Sequence, residues 1–125
     1  MTKKINVLLI TPDGSLCYQT IDNTLTALQH LVGGHIEVIY DPHCLAGHAY
    51  CNDEGFFIGM ERNKVAGDYL GVTVRGPVVL LSHDEKGNET NIRIEQIKGV
   101  LNTVFGLPQS DEMIRGSHPA IRYKI

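Results

Sequence analysis

The sequence predicts an α+β fold: an antiparallel β-sheet built from hairpins and packed with two main α-helices, at about residues 23–32 and 93–105. Three observations point there. Short apolar runs recur between Pro, Gly and Asn turn signals, as strands do. Two stretches instead repeat apolar residues at spacings of three and four, which gathers them on one helix face. Hairpin-like pairs fall before and after these helices, an order that suits an antiparallel sheet covered on one face by the two helices.

Ile5 to Ile10 reads as a buried strand. Thr11-Pro12-Asp13-Gly14 is a turn, because Pro presets one dihedral and Gly supplies the positive one. Ser15 to Thr20 returns as the second strand. Asp22 or Asn23 can cap the first helix, with Leu25, Leu28, Leu31 and Val32 on its apolar face. Gly33-Gly34 ends it in the left-handed manner. His35 to Tyr40 alternates as a third strand. Ala49-Tyr50-Cys51 and Phe56-Phe57-Ile58 flank Asn52-Asp53-Glu54-Gly55 and suggest a further hairpin.

Arg62 to Tyr69 is a short helix with Val65, Ala66 and Tyr69 inward, stopped by Gly71. Val72-Thr73-Val74 and Val78 to Leu81 are strand-like. The Gly76-Pro77 interruption implies a bulge or a sheet edge, since Pro deletes a ladder bond. Asp84 to Asn88 is a surface turn. The second main helix carries Ile94, Ile97, Val100 or Leu101, and Val104 as its stripe, and Gly106 and Pro108 close it. We divide the chain into one domain over residues 1–106 and a C-terminal tail over 107–125.

The bulk properties set the class. A chain of 125 residues with 42% apolar and 20% charged residues has the profile of one ordinary globular domain. A net charge of −3 argues against general nucleic-acid binding, which a basic surface would favour. No apolar stretch approaches the length of a membrane span. Three cysteines, an odd number, fit free thiols in a reducing cytoplasm.

Catalytic patterns are absent. Ser15, Ser82, Ser110 and Ser117 lack a nucleophile elbow, and the adjacent Ser82-His83 pair would face opposite ways on a strand. Asp53-Glu54 and Asp84-Glu85 read as solvated turn residues rather than convergent acids. His43, Cys44, His48 and Cys51 are the densest set of possible metal ligands, but their spacing is not that of a standard zinc knuckle. Two features suit binding. Asn63-Lys64 opens a helix, where N–H groups and a cation can receive an anion. The tail carries Arg115, Arg122 and Tyr123, residue types that grip phosphate and stack on a base, and its Ile121-to-Ile125 end can add a strand to a neighbouring copy.

The stretches Thr26 to Gln29, Val32-Gly33-Gly34, Ile36-Glu37-Val38 and Asn52-Asp53-Glu54-Gly55 resemble a family of small domains of unknown function carried by bacteriophages and other mobile elements. Gly59-Met60-Glu61-Arg62-Asn63-Lys64 continues the likeness where that family shows Gly-Leu-Pro-x-Asn-Arg, and Gly76-Pro77-Val78-Val79 and Glu95-Gln96-Ile97 follow. The likeness covers about residues 5–106 and departs at Glu61 and Lys64, where the family has Pro and Arg. It implies a phage setting and no particular reaction. The expectation is therefore a non-enzymatic, cofactor-free accessory protein of the host cytoplasm, forming a homo-oligomer. It would act as a counter-defence factor that sequesters a nucleotide-type signal through Asn63, Lys64, Arg115, Arg122 and Tyr123. The alternatives are an inhibitor that binds a host protein and a metal-dependent enzyme at His43, Cys44, His48 and Cys51.

Overall fold

Most of the apolar runs become strands and the amphipathic stretches become helices. A computed structural model describes residues 3–105 and 122–123. Its elements are β1 (Lys4–Ile10), β2 (Leu16–Asp22), α1 (Leu25–Val32), β3 (Ile36–Tyr40), β4 (Gly47–Asn52), α2 (Lys64–Leu70), β5 (Val78–His83), β6 (Glu89–Thr90), α3 (Ile94–Phe105) and β7 (Arg122–Tyr123). All strand pairings are antiparallel, in the order β3-β4-β5-β1-β2-β7, with β6 joined to β5 off this path. The fold is the expected α+β arrangement.

The first hairpin closes as its residues dictate. Gly14 takes φ 87°, its N–H donates to Thr11 C=O at 3.0 Å, and the Asp13 carboxylate accepts from Ser15 N–H at 3.0 Å. Helix α1 is capped by Thr24, whose Oγ1 accepts from Ala27 N–H at 3.1 Å, and not by Asp22 or Asn23. Asp22 is held in β2 opposite Lys4, while Thr24 has the extended backbone, φ −135°, that a cap requires. Gly33 ends α1 with φ 79°.

The helices lie on both faces of the sheet, not together on one. Alternation along β1 and β5 sends Leu8, Ile10, Val78 and Leu80 to the side of α2 and α3. It sends Ile5, Val7, Val79 and Leu81 to the side of α1, against Leu28 and Val32. Val78, Val79, Leu80 and Leu81 are all fully buried, because the central strand is covered twice. Pro77 causes neither bulge nor edge. It stands one residue ahead of β5, which lies centrally between β4 and β1, so no ladder bond is lost.

Two expected strands are absent. Residues 53–59 form successive turns that leave Phe56, Phe57 and Ile58 exposed, and β4 pairs with β3 and β5 instead. Residues 72–74 are irregular, with one isolated bridge from Arg75 to Arg62 beyond them. The end of the chain pairs within its own sheet: Arg122 and Tyr123 sit opposite Cys17 and Leu16 of β2. No helix among the described residues is long and apolar enough to cross a membrane.

A buried polar network locks the loops to the helices. Asp41, 6% exposed, accepts from Tyr69 Oη–H at 2.6 Å, from Gln96 Nε2 at 3.2 Å and from His43 N–H at 2.8 Å. Gln96 also donates to Leu81 C=O at 3.0 Å and accepts from Ser82 Oγ at 2.5 Å and Arg93 N–H at 3.1 Å. Gly47 must lack a side chain, since a Cβ there would fall 2.5 Å from Gln96 Nε2. Removing one donor leaves a buried carboxylate short of a partner, so Tyr69→Phe is expected to lower stability by about 2 kcal/mol. Denaturant unfolding measures the loss.

Candidate ligand site at the histidine-tyrosine end of the sheet

The same alternation that buries the core builds a polar, aromatic end to the sheet. His48 and Tyr50 project from β4 to the α1 face, and β5 brings His83 beside them. His48 Nδ1 lies 2.9 Å from His83 Nδ1, so one ring donates its Nδ1–H and the other accepts at Nδ1. The Tyr50 hydroxyl donates to Glu89 Oε1 at 2.6 Å. His48 and Tyr50 meet nearly edge to face with centroids 5.0 Å apart, and Tyr40 meets His83 in the same manner at 6.4 Å.

These rings line a groove of about 690 Å³ between β3, β4, β5 and the Asp84–Gly87 turn. A second cleft, of about 990 Å³, opens on the other side of that turn, between the 43–46 loop and the start of α3. The two share His83, Asp84, Glu85 and Lys86. Lys86 and Arg93 line the larger cleft together with Asp84, Glu85 and Glu95, so charges of both signs meet there.

The protonation states follow from placement. Burial lowers the pKa of His48 below 6.5 and the neighbouring His83 lowers it further, against a smaller upward pull from Glu89. His48 is thus neutral at pH 7, and its Nε2 is buried with no hydrogen-bond partner among the described residues. Burial, then the hydrogen bond to Glu89, raises Tyr50 and keeps it a donor. Asp84 is held below its ordinary range by the N–H groups of Asn88 and Lys86, which fix the turn.

The residues singled out from sequence are distributed differently. Asn63 is 1% exposed and fully occupied by the fold. It caps α2 by accepting from Ala66 N–H at 3.1 Å and donates to Ile10 C=O and Gly76 C=O at 2.9 Å each. That geometry leaves its side chain nothing to offer an anion. Lys64 is exposed and paired with Asp68 at 2.7 Å on the next turn. Arg115 lies outside the described residues, and Arg122 and Tyr123 are placed by their backbone pairing to β2, their side chains lying outside the described part.

The set His43, Cys44, His48 and Cys51 does not converge. His43 Nε2 is 2.7 Å from Tyr69 C=O, while His48 and Cys51 stand on opposite faces of β4. No group of three or more His, Cys, Asp or Glu among the described residues can hold a metal ion. Burial pushes the Cys51 thiol up to about 11, so it packs as a neutral core residue. The reading from sequence missed the pairing of His48 with His83. The signal that bears on it is the antiparallel registration of two strands, which brings together residues 35 positions apart.

The fold and this end of it define an α+β domain with a doubly covered antiparallel sheet and an aromatic cleft beside a tight polar turn. By sequence the chain belongs to the DUF3846 family, a domain of unknown function, whose model matches residues 4–105. No curated protein matches it in sequence. Among solved structures, the crystal structure of small RNA methyltransferase HEN1 is similar with a TM-score of 0.57 and 11% identity. That likeness covers 80% of this chain but only 16% of the other, and it is one of fold alone.

Two expectations follow. A histidine whose folded pKa is lowered binds its proton more readily when unfolded. The stability it contributes is therefore complete above pH 6.5 and drains away as the pH falls below that value. Melting profiles should show this loss, reduced in His48→Asn; parallel profiles for the two proteins would contradict it. Asn63→Ala removes a cap and strands two buried carbonyls, and should cost about 3 kcal/mol in denaturant unfolding.

Proposed function

We propose that this domain works by binding, and that it seats a small heteroaromatic ligand of nucleotide type in the groove walled by Tyr40, Tyr50, His48 and His83. The observation that carries the reading is the convergence of those four rings on one groove of about 690 Å³. Planar bases stack on such rings without needing sequence-like readout, and the hydrogen-bonded histidine rings offer a directional polar group at the ring edge. Lys86, at the lip, is available to a single phosphate. The resemblance to phage-borne small domains supports the setting: a counter-defence factor that removes a nucleotide-type signal by holding it.

A second reading, an inhibitor that docks on a host protein, is favoured by a separate surface. Phe56, Phe57 and Ile58 are 59%, 91% and 56% exposed, and Arg75 stacks on Phe56 with its guanidinium 5.0 Å from the ring centroid. Consecutive exposed aromatic and aliphatic side chains of this kind are characteristic of contact surfaces.

Calorimetry with a panel of mononucleotides, cyclic nucleotides and ADP-ribose-type compounds separates the two. The ligand reading expects one member to bind, and Tyr40→Ala to weaken it about tenfold by removing a stacking partner. Silence across the panel, with a stoichiometric host protein retained by the wild type and released by Phe57→Ala, would replace the first reading with the second.

A further inference from the structure

The sheet has two edges, and they are treated differently. At one end β7 pairs with β2 at Leu16 and Cys17. At the other, β3 pairs with β4 and with no further strand among the described residues. Which backbone groups face outward follows from the hydrogen bonds that flank it. Asp53 N–H donates to His35 C=O at 3.0 Å, and Asp41 N–H donates to Gly47 C=O at 3.1 Å. In an antiparallel ladder bonded pairs alternate with non-bonded ones, so the odd-numbered residues of β3 are those bonded to β4. Ile36, Val38 and Tyr40 therefore turn their N–H and C=O groups to the open edge.

Glu37 is the single charged guard on that edge. The edge carries no Pro, no Lys and no bulge, and Val38 and Tyr40 are 45% and 72% exposed. We infer that β3 is the dimerisation edge of this protein and that its partner is the β3 strand of a second copy, antiparallel, about a twofold axis at Val38.

The register selects this occupant over an unrelated peptide. An axis at Val38 sets Val38 against itself and Ile36 against Tyr40, so the outward residues form three pairs that exchange two bonds each. On the groove face this aligns Ile36, Val38 and Tyr40 with their own apolar counterparts. On the opposite face Glu37 meets Ile39, so the single charge of the strand does not oppose itself. A twofold interface must be self-complementary, and the outward-turned residues Ile36, Val38 and Tyr40 meet this by pairing apolar with apolar. Backbone pairing at the edge leaves the face of the groove open and places Tyr40 of the second copy beside Ile36 of the first. The inference stands on the edge itself and does not depend on the ligand reading.

Sedimentation equilibrium of the full chain tests it. The expected wild-type mass is twice the 13.8 kDa of one chain. Val38→Pro deletes an N–H that points away from β4, so it spares the β3–β4 ladder while halving the mass. Val38→Lys should do the same by setting two charges together at the axis, and it serves where the proline variant misfolds. Val38→Cys should form an intermolecular disulfide on mild oxidation that the wild type does not, since bonded antiparallel pairs lie within disulfide reach. A monomeric wild type, or a dimer that survives both Val38→Pro and Val38→Lys with circular dichroism unchanged, would overturn the inference.

Discussion

The buried carboxylate of Asp41 is the constraint on which the rest of this structure hangs. A charge this far from water costs several kcal/mol unless it is matched by donors. Here the donors come from three directions: a hydroxyl from α2, an amide from α3 and a backbone N–H of its own loop. Because Tyr69 and Gln96 are themselves wholly buried, neither can be satisfied anywhere else. The β3–β4 connection, the two helices beneath it and the end of β5 are therefore fixed relative to one another. Both clefts open above this fixture, and the 43–46 loop that lines the larger one is tied to it through His43 and Gly47.

From that fixture the shape of the site follows. Covering the central strands on both faces consumes nearly all the long apolar side chains of β1 and β5. At the β3–β4 end the α1 face carries, beside Ile36 and Val38, aromatic rings with polar tips and histidines. Tyr50 keeps its hydroxyl on Glu89, and His48 keeps one nitrogen on His83, so the rings are held in place by hydrogen bonds as well as by packing. A groove bounded by oriented rings is better prepared to receive a planar ligand than one bounded by free side chains, because less entropy is lost on binding.

Much of this was legible in the residues. Pro12-Asp13-Gly14, Gly33 and Gly71 each demanded a particular backbone geometry, and each marks an element boundary in the structure. Local chemistry sufficed there because turns and caps are decided within a few residues. The placement of α1 and α3 on opposite faces was also written in Val78 to Leu81, an apolar run with no polar alternation, but it was outweighed by the hairpin pattern. Phe56 to Ile58 misled because a β-rich composition is only a preference, and the chain satisfied its hydrogen bonds in turns instead. Asn63 looked like a ligand residue for the same reason that it is a good cap: a short amide can bind whatever lies near, and here that is Ile10, Gly76 and Ala66. The histidine pair needed the strand register, which no single stretch of sequence contains.

The two buried polar clusters at this end of the sheet make an instructive contrast. Around Asp41 the accounting closes: both acceptor oxygens are used, and Gln96 employs both its donors and its acceptor. A few residues away His48 is as buried as Asp41, yet its Nε2 meets no donor or acceptor among the described residues. An unmet buried nitrogen costs about 1–3 kcal/mol, comparable with what a hydrogen bond in the satisfied network contributes. The unmet nitrogen belongs to a ring that lines the groove, whereas the satisfied network lies in the closed core beside Tyr69 and Gln96.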